Sequence, residues 1–357
     1  MRGRRLQYLT LVALFALTAA ACGGDPADPG DTPTAGPSAS DLRVGIAFDV
    51  GGVGDKSFND AAVRGYKAAI EDGLISEDNV ETIEPNATGS NRDENAANLA
   101  DQGFDLIIGV GFAFSEGIAE LATDFPDQNF AIIDGFATFV NADATNIVDL
   151  TFKEHEGSFL VGVAAAMSSE AGTIGFLGGQ RGTGLIEKFE AGYTAGAKAV
   201  NADIEVLVEY IGDDTTAFND PTKGESLSAK MYDDGADVIY HAAGGSGAGL
   251  FKAAVEADAL AIGVDSDQYL TASAEQQPHI LTSMLKRVDT AVYDVISAAV
   301  NEEFEPGLRV FGLAEDGIDY SKSNPDLLTD EITTEMDAFK EQIISGEITV
   351  PEDPKDA

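Results

Sequence analysis

One cysteine, three histidines, no tryptophan and few basic residues in 357 positions exclude several chemistries at the outset. With Cys22 alone, no disulfide can form within the chain. His155, His241 and His279 stand far apart and show no metal-ligand spacing, so they read as structural side chains and no metal is expected. Lys and Arg number 21 against 62 Asp and Glu, a formal charge of −41. That balance excludes the basic footprint a nucleic-acid polymer needs. No Gly-x-Ser-x-Gly elbow is present: Ser246 lies in Gly-Gly-Ser-Gly-Ala. Carboxylates are too abundant to be paired as acid and base from sequence. Neither a catalytic residue nor a cofactor is expected.

The first residues are organised differently. Arg2, Arg4 and Arg5 precede an uncharged apolar run, 6–21, which ends in Ala19, Ala20 and Ala21. The run is shorter than the roughly 20 residues of a spanning helix. It has the three parts of a bacterial export signal. A lone cysteine directly after it resembles a lipobox, with Ala19 where such boxes usually carry Leu. The resemblance implies cleavage before Cys22, lipid on that cysteine, and attachment to a membrane facing the extracytoplasmic side. An ordinary secretory signal is the alternative. Residues 23–40 contain only small, polar, Pro, Gly and Asp residues, which cannot bury a core; a disordered tether is expected there. Removing 1–21 leaves 18 basic against 62 acidic residues, formally −44. Such a surface suits a salty milieu, or simply solubility.

From residue 41 onward, short apolar runs alternate with amphipathic stretches. Strands are expected at 42–50, 80–83, 105–111, 129–134 and 147–152, with helices at 57–71, 91–101, 115–124 and 154–169. The pattern then restarts. Strands at 173–177, 205–211, 238–242, 260–264 and 280–285 alternate with helices at 185–200, 221–234, 247–257 and 288–301, and a late helix lies near 333–344. Two βαβ series imply an α/β protein of two doubly wound parallel-sheet lobes. Ligand groups belong at the C-terminal strand ends, which carry Asp49, Phe112, Asp134, Gly178-Gly179, Gly244-Gly245 and Asp265.

Two glycine-rich turns join strand to helix. Asp49-Val-Gly-Gly-Val-Gly-Asp-Lys-Ser-Phe-Asn59 ends like a phosphate loop, but Asp55 stands where glycine must precede the lysine and Val50 where the first glycine belongs. Asp49 and Asp55 would repel phosphate, so a neutral ligand fits better. The plain alternative is a tight turn with Ser57 as helix N-cap and Lys56 solvated. Gly244-Gly-Ser-Gly-Ala-Gly249 falls short of a dinucleotide fingerprint because Leu250 replaces its third glycine. It reads as a backbone-lined wall or a tight turn.

These segments, with Gly109–Phe112, Phe130–Asp134, Phe152–Gly162, Ala236–Tyr240, Ile262–Gln268 and Thr282–Lys286, follow one another as in the basic membrane protein family, the PnrA-like nucleoside-binding lipoproteins, which the chain resembles over about 42–319. The resemblance implies a type I periplasmic-binding-protein fold at 41–350, with a hinge between lobes and an acidic tail at 351–357. Lobe 1 would comprise about 41–150 plus 280–305, and lobe 2 about 155–265 plus 306–345. A monomer would close on a nucleoside and pass it to an ABC permease. Residue by residue, the resemblance implies hydrogen bonds from Asp49 and Asp134 and stacking on Phe58, flanked by Ser57 and Asn59. It implies a second ring at Phe218, with Phe112 also at the cleft, and ribose or base contacts at Gly244, Gly245, Asp265 and Lys286. A sugar or small polar signal in the same fold, and an exported nucleoside-processing enzyme, are the competing readings. Mass spectrometry of the mature protein is expected to find a lipid-modified Cys22 at its N-terminus; an unmodified N-terminus elsewhere would remove the anchor.

Overall fold

Fully apolar strands need cover on both faces, and the amphipathic segments between them supply it. In the computed structural model, which describes residues 39–357, this produces two separate sheets. Cys22, the export segment and nearly all of the expected tether lie outside the described residues. Strands β1 (Val44–Phe48), β2 (Val80–Ile83), β3 (Leu106–Val110), β4 (Asn129–Ile133) and β5 (Ile147–Phe152) build the first sheet. Strands β6 (Thr173–Gln180), β7 (Glu205–Gly212), β8 (Val238–Ala242), β9 (Leu260–Asp265) and β10 (Ile280–Lys286) build the second. Each set runs in the spatial order 2-1-3-4-5, all parallel. That order reverses beside the first strand of each set, opening a crevice at the strand ends.

Two late strands complete the sheets by exchange. β11 (Gly307–Phe311) joins β5 in parallel, and β12 (Ile318–Tyr320) joins β10 antiparallel. The chain therefore crosses between lobes three times: after β5, after β10 and after β11. This corrects the expected lobe boundaries. Residues 280–286 belong to the second sheet, paired with β9, and 307–311 belong to the first. Only the helix Val288–Val300 returns to the first lobe as expected, packing on the helix Phe58–Glu71. Apolar pattern marks 280–286 as a strand, but hydrogen-bond pairing decides which sheet edge receives it. β11 escapes the sequence reading because its five residues alternate in exposure, as an edge strand does. The segment 351–357 is also more than a tail. Pro354–Asp356 forms a single turn, Lys198 Nζ donates to the Ala357 carbonyl at 3.1 Å, and Glu352 pairs with Lys188 at 3.3 Å.

Around the first crossing, the helices Glu154–Ser168 and Leu185–Val200 pack backbone against backbone. A Cβ on Gly192 would lie 2.1 Å from the carbonyl oxygen of His155, and one on Gly196 would lie 1.9 Å from that of Phe159. Backbone cannot yield as a flexible side chain can. Gly196→Ala gains helix propensity of up to about 1 kcal/mol. The clash is nevertheless expected to lower stability by about 1–3 kcal/mol in urea unfolding; an unchanged midpoint would contradict this close approach.

Candidate functional site

The turn after β1 is shaped by its glycines and one carboxylate. Gly51, Gly52 and Gly54 all take positive φ, which folds the loop back over the strand end. The carboxylate of Asp55 then accepts from the backbone N–H of Ser57 (2.9 Å), Asn59 (2.9 Å) and Asp60 (3.1 Å), and from the Asn59 side chain (3.0 Å). Burial pushes Asp55 up to about 6, against the pull of those hydrogen bonds. Asp55, rather than Ser57, thus closes the helix N-terminus. Ser57 is freed to donate its hydroxyl to Asp265 Oδ2 of the other lobe at 2.6 Å. Lys56 is not simply solvated either: its ammonium donates to the Thr271 carbonyl, also in the second lobe, at 3.0 Å.

Asp49, at the tip of β1, accepts from Arg92 Nη2 at 2.6 Å and Nε at 3.1 Å, and from the Val50 N–H at 2.7 Å, all on Oδ1. Arg92 Nη2 also donates to Thr215 Oγ1 across the cleft at 3.1 Å. Sequence reading missed Arg92, although each basic residue is a scarce signal in so acidic a chain.

Asp134 directly follows β4 and Asp265 ends β9, equivalent strands of the two lobes, and both have φ of +63°. Aspartate tolerates this left-handed conformation better than most residues. It turns both side chains toward Lys286, the last residue of β10. Lys286 Nζ lies 2.5 Å from Asp134 Oδ2 and 2.9 Å from Glu154 Oε1. These groups are buried: Lys286 is 2% exposed, Glu154 1%, Asp134 5% and Asp265 7%. Burial pushes Asp134 up to about 7, with the Lys286 charge opposing, and also raises Asp265. Burial works against the ammonium of Lys286, but Asp134, Glu154 and Asp265 outweigh it and hold the group charged. The rings of Phe152, Phe58 and Phe189 lie 5.0, 5.4 and 5.6 Å from that ammonium.

The rings opposite come from both lobes. Phe112 and Phe218 meet edge to face, centroids 6.3 Å apart. Phe218 rests over Gly179, where only glycine leaves space for it, and lies beside Gly244 at ordinary contact distance. Together these elements line a solvent-open cleft with about 600 Å³ of empty space. Nine of the eleven expected residues line it: Asp49, Phe58, Asn59, Phe112, Asp134, Phe218, Gly244, Asp265 and Lys286. Ser57 and Gly245 do not. Ser57 stands behind Asp265, and Gly245 faces the Phe218 carbonyl. Leu185, Ile186 and Phe189 also line the cleft. They open the helix after β6, and their apolar character looks like ordinary core in sequence.

His241 lies beside the cleft with its ring buried, Nε2 2.9 Å from Gln268 Oε1, and burial lowers it to about 4. Among the described residues, no group of three or more His, Cys, Asp or Glu is placed to hold a metal ion, and no helix is long and apolar enough to cross a membrane.

Residues 43–354 match the family model described as ABC transporter substrate-binding protein PnrA-like. The chain belongs to the Bmp family. Its relatives include the ABC transporter nucleoside-binding protein BmpA of Lactococcus lactis, 34% identical over 89% of this chain and 91% of that protein. Basic membrane protein A of Borreliella burgdorferi is 36% identical over 87% of each chain. A CD4+ T-cell-stimulating antigen of Listeria monocytogenes is 34% identical, covering 89% of this chain and 90% of that one. Among solved structures, an ABC transporter solute-binding protein of Aeropyrum pernix superposes with a TM-score of 0.75, at 28% identity over 88% of this chain and 95% of that one. The two parallel sheets thus form the type I fold of periplasmic solute-binding proteins, and Bmp proteins are substrate-binding components rather than enzymes. Binding proteins of ABC importers work outside the cytoplasm.

In this Bmp protein, Gly179 sets the position of Phe218: a Cβ there would sit 2.3 Å from the ring. Gly179→Ala is expected to swing Phe218 away from Gly244, visible in a crystal structure of the variant; an unmoved ring would contradict the contact.

Proposed function

We propose that this chain captures nucleosides for an ABC importer, held to the membrane through a lipid on Cys22 and working as a monomer. One observation carries the reading: aromatic faces from both lobes meet buried charged groups in a single cleft. Phe58, Phe112 and Phe218 offer faces on which a flat base stacks, whatever its edge pattern. Asp265 and Asp134 supply acceptors suited to ribose hydroxyls or base N–H groups, and Lys286 supplies a donor. Asp49 keeps Oδ2 clear of Arg92 and Val50, which bind Oδ1, so one of its acceptors is free of those partners. The nucleoside-binding relative in Lactococcus lactis supports the same assignment.

Ser57 contributes by fixing Asp265, and Gly244 by packing beside Phe218. The bonds Ser57–Asp265, Arg92–Thr215 and Lys56–Thr271 all cross the cleft, so they form only when the lobes are together. Closure reports occupancy to a permease that reads both lobes at once.

Calorimetry with inosine, guanosine, adenosine, cytidine and ribose tests the proposal. Nucleosides are expected to bind and ribose to bind weakly or not at all, with no free base released on incubation. Phe58→Ala and Asp265→Ala are each expected to weaken binding by about 1–3 kcal/mol, the scale of a lost stacking face or charged hydrogen bond. Tight ribose binding without nucleoside binding would sink the assignment, and release of free base would make the protein an enzyme.

A further inference from the structure

Three buried carboxyl groups surround one buried ammonium where the chain crosses between lobes. Asp134 directly follows β4 of the first lobe, Glu154 opens the helix of the first crossing, Asp265 ends β9, and Lys286 ends β10 at the second crossing. Glu154 does not line the cleft, yet it is almost fully buried and lies 2.9 Å from Lys286 Nζ. Glu154 Oε1 meets only that ammonium, and neither Glu154 Oε2 nor Asp134 Oδ1 has a hydrogen-bond partner. Three ionised carboxylates against one ammonium would leave two buried negative charges uncompensated.

The remaining charged or titratable groups nearby do not supply that compensation. Arg64 acts on Asp265 from the first lobe, but its side chain is 48% exposed and donates to Ser266 instead. Arg92 is bound to Asp49. His155 follows Glu154 and is kept neutral by burial, which lowers its affinity for a proton. Lys153 pairs outward with Glu156 at 3.3 Å. Asp55 adds another buried carboxyl on the cleft wall. Tyr240, bonded to Ser158 at 3.2 Å, is held neutral by burial. Like charges this close do not ionise together; a proton is retained on one of them.

We propose that Asp134 and Asp265 share one proton in the closed cleft, taken from solvent as the lobes close and returned as they open, with Glu154 as the positioning residue that enforces it through Lys286. Opening parts Asp134 from Lys286 and Ser57 from Asp265, so water reaches the carboxylates and restores their ordinary acidity near 4. The sign follows from linkage. Between about 4 and the raised value of about 7 at Asp134, the closed state binds more protons than the open one. Closure, and with it capture, weakens as pH rises through that window and levels off above it.

The experiment is calorimetric titration of the full chain with the nucleoside that binds it best, at pH 6, in two buffers of unlike ionisation enthalpy. This arm rests on the nucleoside reading. Wild type is expected to take up close to one proton per ligand, and its affinity to fall by roughly one to two orders of magnitude from pH 5 to pH 7. Glu154→Gln is expected to bind with little proton uptake and a flat pH profile. A merely structural role for Glu154 would lower affinity alike at every pH and leave the uptake in place, overturning the proposal. So would wild-type binding that is independent of buffer. If no nucleoside binds, that reading fails alone. The proton is then sought by infrared spectroscopy in a Lys56→Cys, Thr271→Cys variant crosslinked across the cleft to hold the lobes together; a protonated-carboxyl band at pH 6 that fades by pH 8 and is lost on adding Asp134→Asn supports it, and its absence overturns it.

Discussion

The ammonium of Lys286 is the point at which the two lobes, two of the three crossings and the ligand cleft meet. Taking an ion out of water costs several kcal/mol, so the group persists there only because carboxylates approach from several elements. Asp134 comes from the first lobe, Asp265 from the second and Glu154 from the connection between them. Such a cluster contributes more to geometry than to stability. It requires the strand ends of β4, β9 and β10 to converge, and that convergence defines the floor of the cleft.

Everything else at the site is arranged around that floor by a repeated architecture. Both lobes use the strand order 2-1-3-4-5, and both place an aspartate with φ of +63° at the end of the fourth strand. Both follow the third strand with a short turn, Phe112–Phe114 or Gly244–Ser246, that opens a helix. The repeat explains why polar groups from two separate sheets face one another. It also shows where symmetry is broken: rings dominate the first-lobe turn, while the second is two glycines and a serine with Phe218 packed beside them.

Much of this was legible in the chain. Apolar runs bounded by turns located ten of the strands, because parallel strands buried on both faces leave a continuous signature. Strand ends named five residues that line the cleft, Asp49, Phe112, Asp134, Gly244 and Asp265, while Phe58, Asn59, Phe218 and Lys286 came from the family resemblance. The rest was hidden for definite reasons. Arg92 reaches Asp49 over forty-three positions of sequence, and nothing local marks that pairing. Glu154 is one of 62 acids, and only burial beside an ammonium distinguishes it. Ser57 looked like a cap until Asp55 was found in that role. Residues 280–286 and 307–311 were placed in the wrong lobes because sheet membership is a choice among edges far apart in the chain.

Lys153 and Lys286 show the division most directly. Each stands at the end of the fifth strand of its lobe, and in sequence the two are alike. Counted from the residue before each aspartate, the strand pairings put Phe152 level with Lys286, so Lys153 is one step further on. One step along a strand turns a side chain to the opposite face. Lys153 therefore meets solvent and Glu156, while Lys286 enters the cluster. The sequence by itself determined the alternation of elements and the excess of acidic charge, because hydrophobicity and charge are properties of short segments. Only the tertiary structure decided which lysine, which carboxyls and which aromatic rings form the site, because register and sheet pairing depend on residues far apart in the chain.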